Sequence, residues 1–96
     1  MNVSKKIVLV TGASRGIGMA IASELAINGA IVIGTATSSK GASNISEALA
    51  SHKIEGEGMV LDVNNAESID SLIKSVSEKY GDIQILVNNA GIKTYN

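Results

Sequence analysis

Four short runs of aliphatic and β-branched residues, Ile7 to Thr11, Ile31 to Thr35, Met59 to Val63 and Ile83 to Val87, recur along this chain of 96 residues. Their spacing constrains the fold more than any other feature. The runs are mostly continuous rather than alternating, which suits strands buried on both faces of a parallel sheet. Parallel neighbours need a crossover between them, and the intervening segments carry helical period. Ile17, Ile21 and Leu25 recur at i+4, with Asn28-Gly29 as a stop. Ile45, Ala48 and Leu49 mark a shorter helix. Ile69, Leu72, Ile73, Val76 and Tyr80 form an apolar stripe, with a start signal at Asn64 and Glu67 and a stop at Gly81. The order β-α-β-α-β-α-β predicts an α/β sheet with crossover helices.

Composition removes several classes of function. Eight basic against nine acidic residues give a formal net charge of -1, with no electrostatic case for nucleic acid or an anionic membrane. Tyr80 and Tyr95 are the only aromatic residues, so a base-stacking surface is not expected. The chain has no Cys and a single His, His52, which rules out disulfides, thiolate sites and a His-rich metal centre. The run Ile7 to Val10 is too short for a signal peptide or a membrane span. A soluble cytoplasmic protein is the expectation.

The first apolar run leads directly into Thr11-Gly12-Ala13-Ser14-Arg15-Gly16-Ile17-Gly18. Glycines there permit positive φ and close approach of the backbone to a ligand, and the following helix N-terminus presents N–H groups to a pyrophosphate. The spacing is G-x-x-x-G-x-G, not G-x-G-x-x-G, and no Walker lysine follows. A tight turn that merely needs small residues is the plainer alternative, but the place between a strand and a helix favours phosphate binding. At the end of the second strand, where a carboxylate would hold a ribose 2′-hydroxyl, the chain has Thr35-Ala36-Thr37-Ser38-Ser39-Lys40. That absence argues against NAD preference. Arg15 and Lys40 are cations that could meet a 2′-phosphate, although Lys40 reads equally well as a solvated loop charge.

Taken together, Thr11 to Gly18 and Asn88-Asn89-Ala90-Gly91 resemble the cofactor motif and the N-N-A-G motif of the short-chain dehydrogenase/reductase family. Gly34-Thr35-Ala36-Thr37-Ser38 is similar to the bacterial members that reduce 3-oxoacyl groups on acyl carrier protein, and the likeness runs from Lys5 to Ile92. The resemblance implies a Rossmann-type doubly wound parallel sheet in strand order 3-2-1-4, of which residues 1–96 would be the N-terminal dinucleotide-binding portion. It implies NADP(H) as cofactor. Gly12, Ser14, Arg15 and Ile17 would contact its phosphates and ribose, with Gly16 and Gly18 shaping the turn. Thr37 would lie by the 2′-phosphate. Asp62 and Val63 would flank the adenine, Asp62 having a strand-end or capping role as its alternative. Asn89, with Ala90 and Gly91 of the same motif, would approach the ribose, whereas Asn88 would tie strands together.

The implied activity of the parent enzyme is NADPH-dependent reduction of 3-oxoacyl-ACP in fatty acid synthesis, with an acyl-carrier-protein-linked substrate and a homo-oligomeric enzyme. Another short-chain carbonyl or acetoacetyl-CoA reductase, or an inactive truncated nucleotide-binding fragment, is the alternative. The family's catalytic Ser and Tyr-x-x-x-Lys are expected downstream of N-N-A-G, and the sequence given ends at Asn96, so it is expected to hold no catalytic residue. Tyr80 is followed four positions later by Gln84, not Lys, and reads as the last apolar contact of its helix. Gln84 itself replaces an Asp common in the family, a change expected to touch local hydrogen bonding. The fourth strand is expected to present an unpaired apolar edge, leaving the isolated chain unstable or self-associated.

Overall fold

The four apolar runs become four strands in a computed structural model that describes residues 3–14 and 16–89. The elements are β1 (Ile7–Val10), α1 (Gly16–Ile27), β2 (Ile31–Ala36), α2 (Ser39–Ser51), β3 (Gly56–Val60), α3 (Ala66–Lys79) and β4 (Ile85–Val87). All pairings are parallel, in the order β3-β2-β1-β4, with Val8 opposite both Val32 and Ile85. This is the α/β, Rossmann-type partial sheet expected from the alternation.

Side-chain alternation along each strand divides the core into two layers. Val8, Val10 and Val32 pack with Ala22 and Ala26 of α1 and with Ile45 and Leu49 of α2. Ile7, Leu9 and Ile33 face the other way, onto Leu72 and Val76 of α3. Apolar side chains on both strand faces explain why the runs are continuous in sequence.

The inward face of α1 differs from the expected one. Gly18, Ala22 and Ala26 are its buried residues, Ile21 and Leu25 are half-buried, and Ile17 is 73% exposed. Close seating of the helix on the sheet selects small residues, so the large apolar stripe lies to the side. α2 buries Ala42, Ile45 and Leu49, partly as expected.

The third strand is displaced from its expected place, Met59 to Val63, to Gly56–Val60. Gly56 and Gly58 disfavour a strand by propensity, but they are what the packing requires. A Cβ on Gly58 would overlap the Ala42 carbonyl oxygen and come within 2.8 Å of Ile45 Cβ on α2. The Gly58 N–H then donates to Ser46 Oγ at 2.8 Å, so the helix supplies a hydrogen bond to the edge strand. β4 is shorter than the expected Ile83 to Val87, yet Gln84 extends the pairing: its N–H donates to Ile7 O at 2.9 Å, and its Oε1 accepts from Ile7 N–H at 3.2 Å.

α3 starts one position later than the Asn64 signal suggests. Asn65 is its N-cap, and its Oδ1 accepts from the N–H groups of Glu67 and Ser68 at 2.9 and 3.3 Å. Gly81, at φ 117°, follows the helix as expected.

Candidate dinucleotide site

The glycine-rich turn leaves β1 at the end of the sheet where β2 and β3 also finish. Gly12 and Gly16 both have φ near 63°, in the left-handed region that side chains disfavour. Around Gly16 there is open space, so its requirement is conformational. Gly18 is the opposite case: a Cβ there would overlap Gly12 O and come within 2.7 Å of Asn89 Nδ2. The helix can begin directly under the turn only because position 18 is bare.

Hydrogen bonds hold the turn in shape. The Gly12 N–H donates to Thr35 Oγ1 at 3.3 Å, and the Ala13 N–H to Thr35 O at 2.8 Å. Asn89 Nδ2 donates to Gly12 O at 3.2 Å. Thr11 Oγ1 donates to Asn88 Oδ1 at 3.2 Å, tying the end of β1 to the end of β4, which is the role expected for Asn88. Thr35 was not among the expected site residues. Its signal was a hydroxyl in an otherwise aliphatic strand, because a buried side chain of that kind needs a partner.

These residues wall a cleft of about 390 Å³ lined by Gly12, Ser14, Thr35, Ala36, Thr37, Leu61, Asp62, Val63, Asn64 and Asn89. The cleft therefore unites six of the expected residues, Gly12, Ser14, Thr37, Asp62, Val63 and Asn89, although they span most of the sequence. Gly16 and Gly18 belong to the turn and helix start rather than the lining. Ile17 is not among the lining residues and is solvent-exposed. Arg15, Ala90 and Gly91 lie outside the described residues.

Asp62 shows its local role directly: Oδ1 accepts from the Asn64 N–H at 2.9 Å, and the Asp62 N–H donates to Ser68 Oγ at 3.1 Å. It shapes the turn between β3 and α3 while lining the cleft. Opposite, Ser38 caps α2 by accepting from the Gly41 N–H at 3.1 Å, and Lys40 stands exposed in the first helical turn. Ser14, Thr37 and Asn64, each two positions before the start of α1, α2 and α3 respectively, all line the cleft, and backbone N–H groups at helix N-termini favour an anionic ligand.

The strongest shifts in protonation lie elsewhere, where α3 meets β3. Tyr80 Oη donates to Glu57 Oε2 at 2.7 Å, and Lys79 Nζ contacts the same oxygen at 2.7 Å. Burial, the hydrogen bond to Glu57 and the charges of Glu57 and Glu55 push the Tyr80 phenol up to about 12. A tyrosine that donates a proton in catalysis needs the reverse shift. Tyr80 is a helix anchor as well as an apolar contact. Among the described residues no group of His, Cys, Asp or Glu could hold a metal ion, and no helix is long and apolar enough to cross a membrane.

A parallel sheet with a glycine-rich turn at its carboxyl end, and a cleft there lined by that turn, the end of β2, the segment after β3 and Asn89, defines a dinucleotide-binding fold. The chain belongs to the short-chain dehydrogenase family, whose family model matches residues 6–96. It is similar to the 3-oxoacyl-(acyl-carrier-protein) reductases FabG of Pseudomonas aeruginosa, at 51% identity over 96 residues, and Haemophilus influenzae, at 56% over 91 residues. The FabG of Vibrio cholerae is 54% identical over 96 residues. These alignments cover 100%, 95% and 100% of this chain but only 39%, 36% and 38% of the respective relatives. The chain spans less than two fifths of the length of the curated relatives it matches.

Proposed function

We propose that the cleft binds NADP(H), and that this chain supplies the cofactor-binding portion of a cytoplasmic, homo-oligomeric reductase of 3-oxoacyl groups carried on acyl carrier protein. The carrying observation is the cleft itself, which joins the glycine-rich turn to a β2 terminus with no carboxylate. An acidic residue there would repel a 2′-phosphate, whereas Thr37 offers a hydroxyl to it. The residues fit such a group: Gly12 and Gly16 adopt the turn, Gly18 leaves the room, and α1 begins two residues after the lining Ser14.

Within this reading Gly12 and Ser14, with Arg15, hold the phosphates, and Ile17 contributes from the helix start. Thr37 meets the 2′-phosphate, with Lys40 nearby in sequence. Asp62 and Val63 flank the adenine, and Asn89, Ala90 and Gly91 approach the ribose. Asn89 also keeps Gly12 O in place, so its substitution would disturb the turn before it touched a ligand. When bound, the nicotinamide supplies hydride to a carbonyl. The described residues bind and orient; the proton donor belongs to the Tyr-x-x-x-Lys element of the family.

Two measurements test the reading. Titration of the chain with NADPH and NADH should show preference for NADPH, with a Kd weaker than about 1 μM because the chain spans less than two fifths of the length of its relatives. Equal or tighter binding of NADH would overturn the cofactor assignment. In a parent protein carrying Tyr-x-x-x-Lys, acetoacetyl-ACP should be reduced by NADPH. Turnover of another carbonyl without activity on acyl-ACP would instead identify a different short-chain reductase.

A further inference from the structure

We infer that Gly41 is a positioning residue for nucleotide choice: its missing side chain sets the distance between Ser14 on the glycine-rich turn and Thr37 at the end of β2. The inference rests on the reading of the cleft as a site for a 2′-phosphorylated dinucleotide, and it concerns a residue outside that cleft's lining.

The geometry is tightest against Ala36. A Cβ on Gly41 would lie 2.7 Å from Ala36 Cβ, 3.3 Å from Ser38 Oγ and 3.4 Å from Ser14 Cβ. Non-bonded carbons rest about 3.5 to 4.0 Å apart, so an added methyl group has to move away from Ala36 by about 1 Å. Ala36 has little freedom to yield. It is buried at the last position of β2, pairs with Val60, and its carbonyl accepts from the Leu61 N–H at 2.9 Å. The first turn of α2 must give way instead.

The rest of α2 cannot follow as a rigid rod. Ile45 sits against Gly34, where a Cβ would come within 2.9 Å of its Cγ2, and Ala42 and Ile45 fill the space over Gly58. Ser46 is also bonded to the Gly58 N–H. With these contacts fixed, the displacement concentrates at the N-terminus of α2. Only Thr37 and Ser38 separate β2 from α2, so it passes to Thr37 and disturbs the Ser38 cap. Ser14 and Thr37 are two walls of one cleft. Thr37 is the residue that meets the 2′-phosphate in this reading, so its displacement relative to Ser14 acts on that group more than on the pyrophosphate under α1.

This outcome runs against local propensity. Ala in place of Gly within a helix is ordinarily favourable, so a loss from Gly41→Ala reports the tertiary contact and not helix formation. The test compares, in a parent protein carrying Tyr-x-x-x-Lys, the unsubstituted sequence, Gly41→Ala, and the double variant Ala36→Gly with Gly41→Ala, in which the obstructing methyl is removed. Titration of each with NADPH and NADH should show NADPH weakened about tenfold and NADH less than about twofold in Gly41→Ala, with most of the NADPH affinity regained in the double variant. Equal weakening of both nucleotides, no weakening of NADPH, or no recovery in the double variant would overturn the inference.

Backbone amide shifts of the free proteins keep the two readings apart. Gly41→Ala should move the Ser14 and Thr37 resonances, and the double variant should return them towards their original positions. If the unsubstituted parent protein binds neither nucleotide, the reading of the cleft fails, while unmoved Ser14 and Thr37 amides in Gly41→Ala would sink the positioning role by itself.

Discussion

At Tyr80 one hydroxyl joins the end of α3 to the edge strand, donating to Glu57 Oε2 at 2.7 Å. The Lys79 contact to the same carboxylate is mostly exposed, with Lys79 at 59%, and exposed pairs contribute little to stability. The phenol bond is the better sheltered of the two. Tyr80→Phe should therefore cost about 1 kcal/mol in denaturant titrations near pH 7, with Lys79→Ala costing less. The pH dependence has a definite sign. Because the folded phenol is raised from 10.0 to about 12, its stabilisation is complete below pH 10 and is lost as pH rises through that interval. Tyr80→Phe should flatten the alkaline fall, and a melt series from pH 9 to about 12 that showed no difference between the two proteins would refute the bond's role. Glu57 acts at the other end of the scale. Burial raises its pKa, but the bonds from Lys79 and Tyr80 and the Lys79 charge outweigh that and leave it lowered from 4.5. Its contribution is lost as pH falls below that value through the folded pKa.

The helices differ in how far their sequences announce them. The stripe of α3 was legible because its surroundings impose little: Leu72 and Val76 turn inward, and Ile73 is left 47% exposed at the margin. Its start lies one position beyond the Asn64 signal. The structure selects Asn65, while the Asn64 N–H is bonded to Asp62. Asn65→Ala should lower stability by about 1 kcal/mol, and Asn64→Ala by less than about 0.5 kcal/mol, in chemical denaturation. Equal costs would mean that the cap is shared. α1 and β3 were misread for a common reason. Close packing replaced large residues with small ones on the inner face of α1 and placed glycines inside β3, so periodicity and propensity both pointed away from the observed contacts.

At the scale of the molecule, β4 is an edge of the sheet among the described residues, which leave Leu86 60% exposed. Leu86, Ile73, Ile83 and Leu9 line an apolar groove of about 360 Å³ beside that edge. Such an edge offers backbone groups and apolar surface together, the combination that drives strand pairing between chains. The chain of 96 residues should sediment as oligomers at micromolar concentration, and Leu86→Lys should shift it towards monomer. A monodisperse, cooperatively melting monomer of the unsubstituted chain would show that the edge is adequately protected. The sequence by itself determined the alternation of elements, the sheet class, the glycine-rich turn and the absence of a carboxylate after β2. Each of these depends on residue type over a few neighbouring positions. Only the tertiary structure decided that Thr35 fastens the turn, that Asn89 and Gly18 share the space beneath Gly12, and that Gly41 abuts Ala36 and Ser14. Those contacts join segments distant in sequence, and small residues that owe their place to an absent side chain leave no periodic pattern to read.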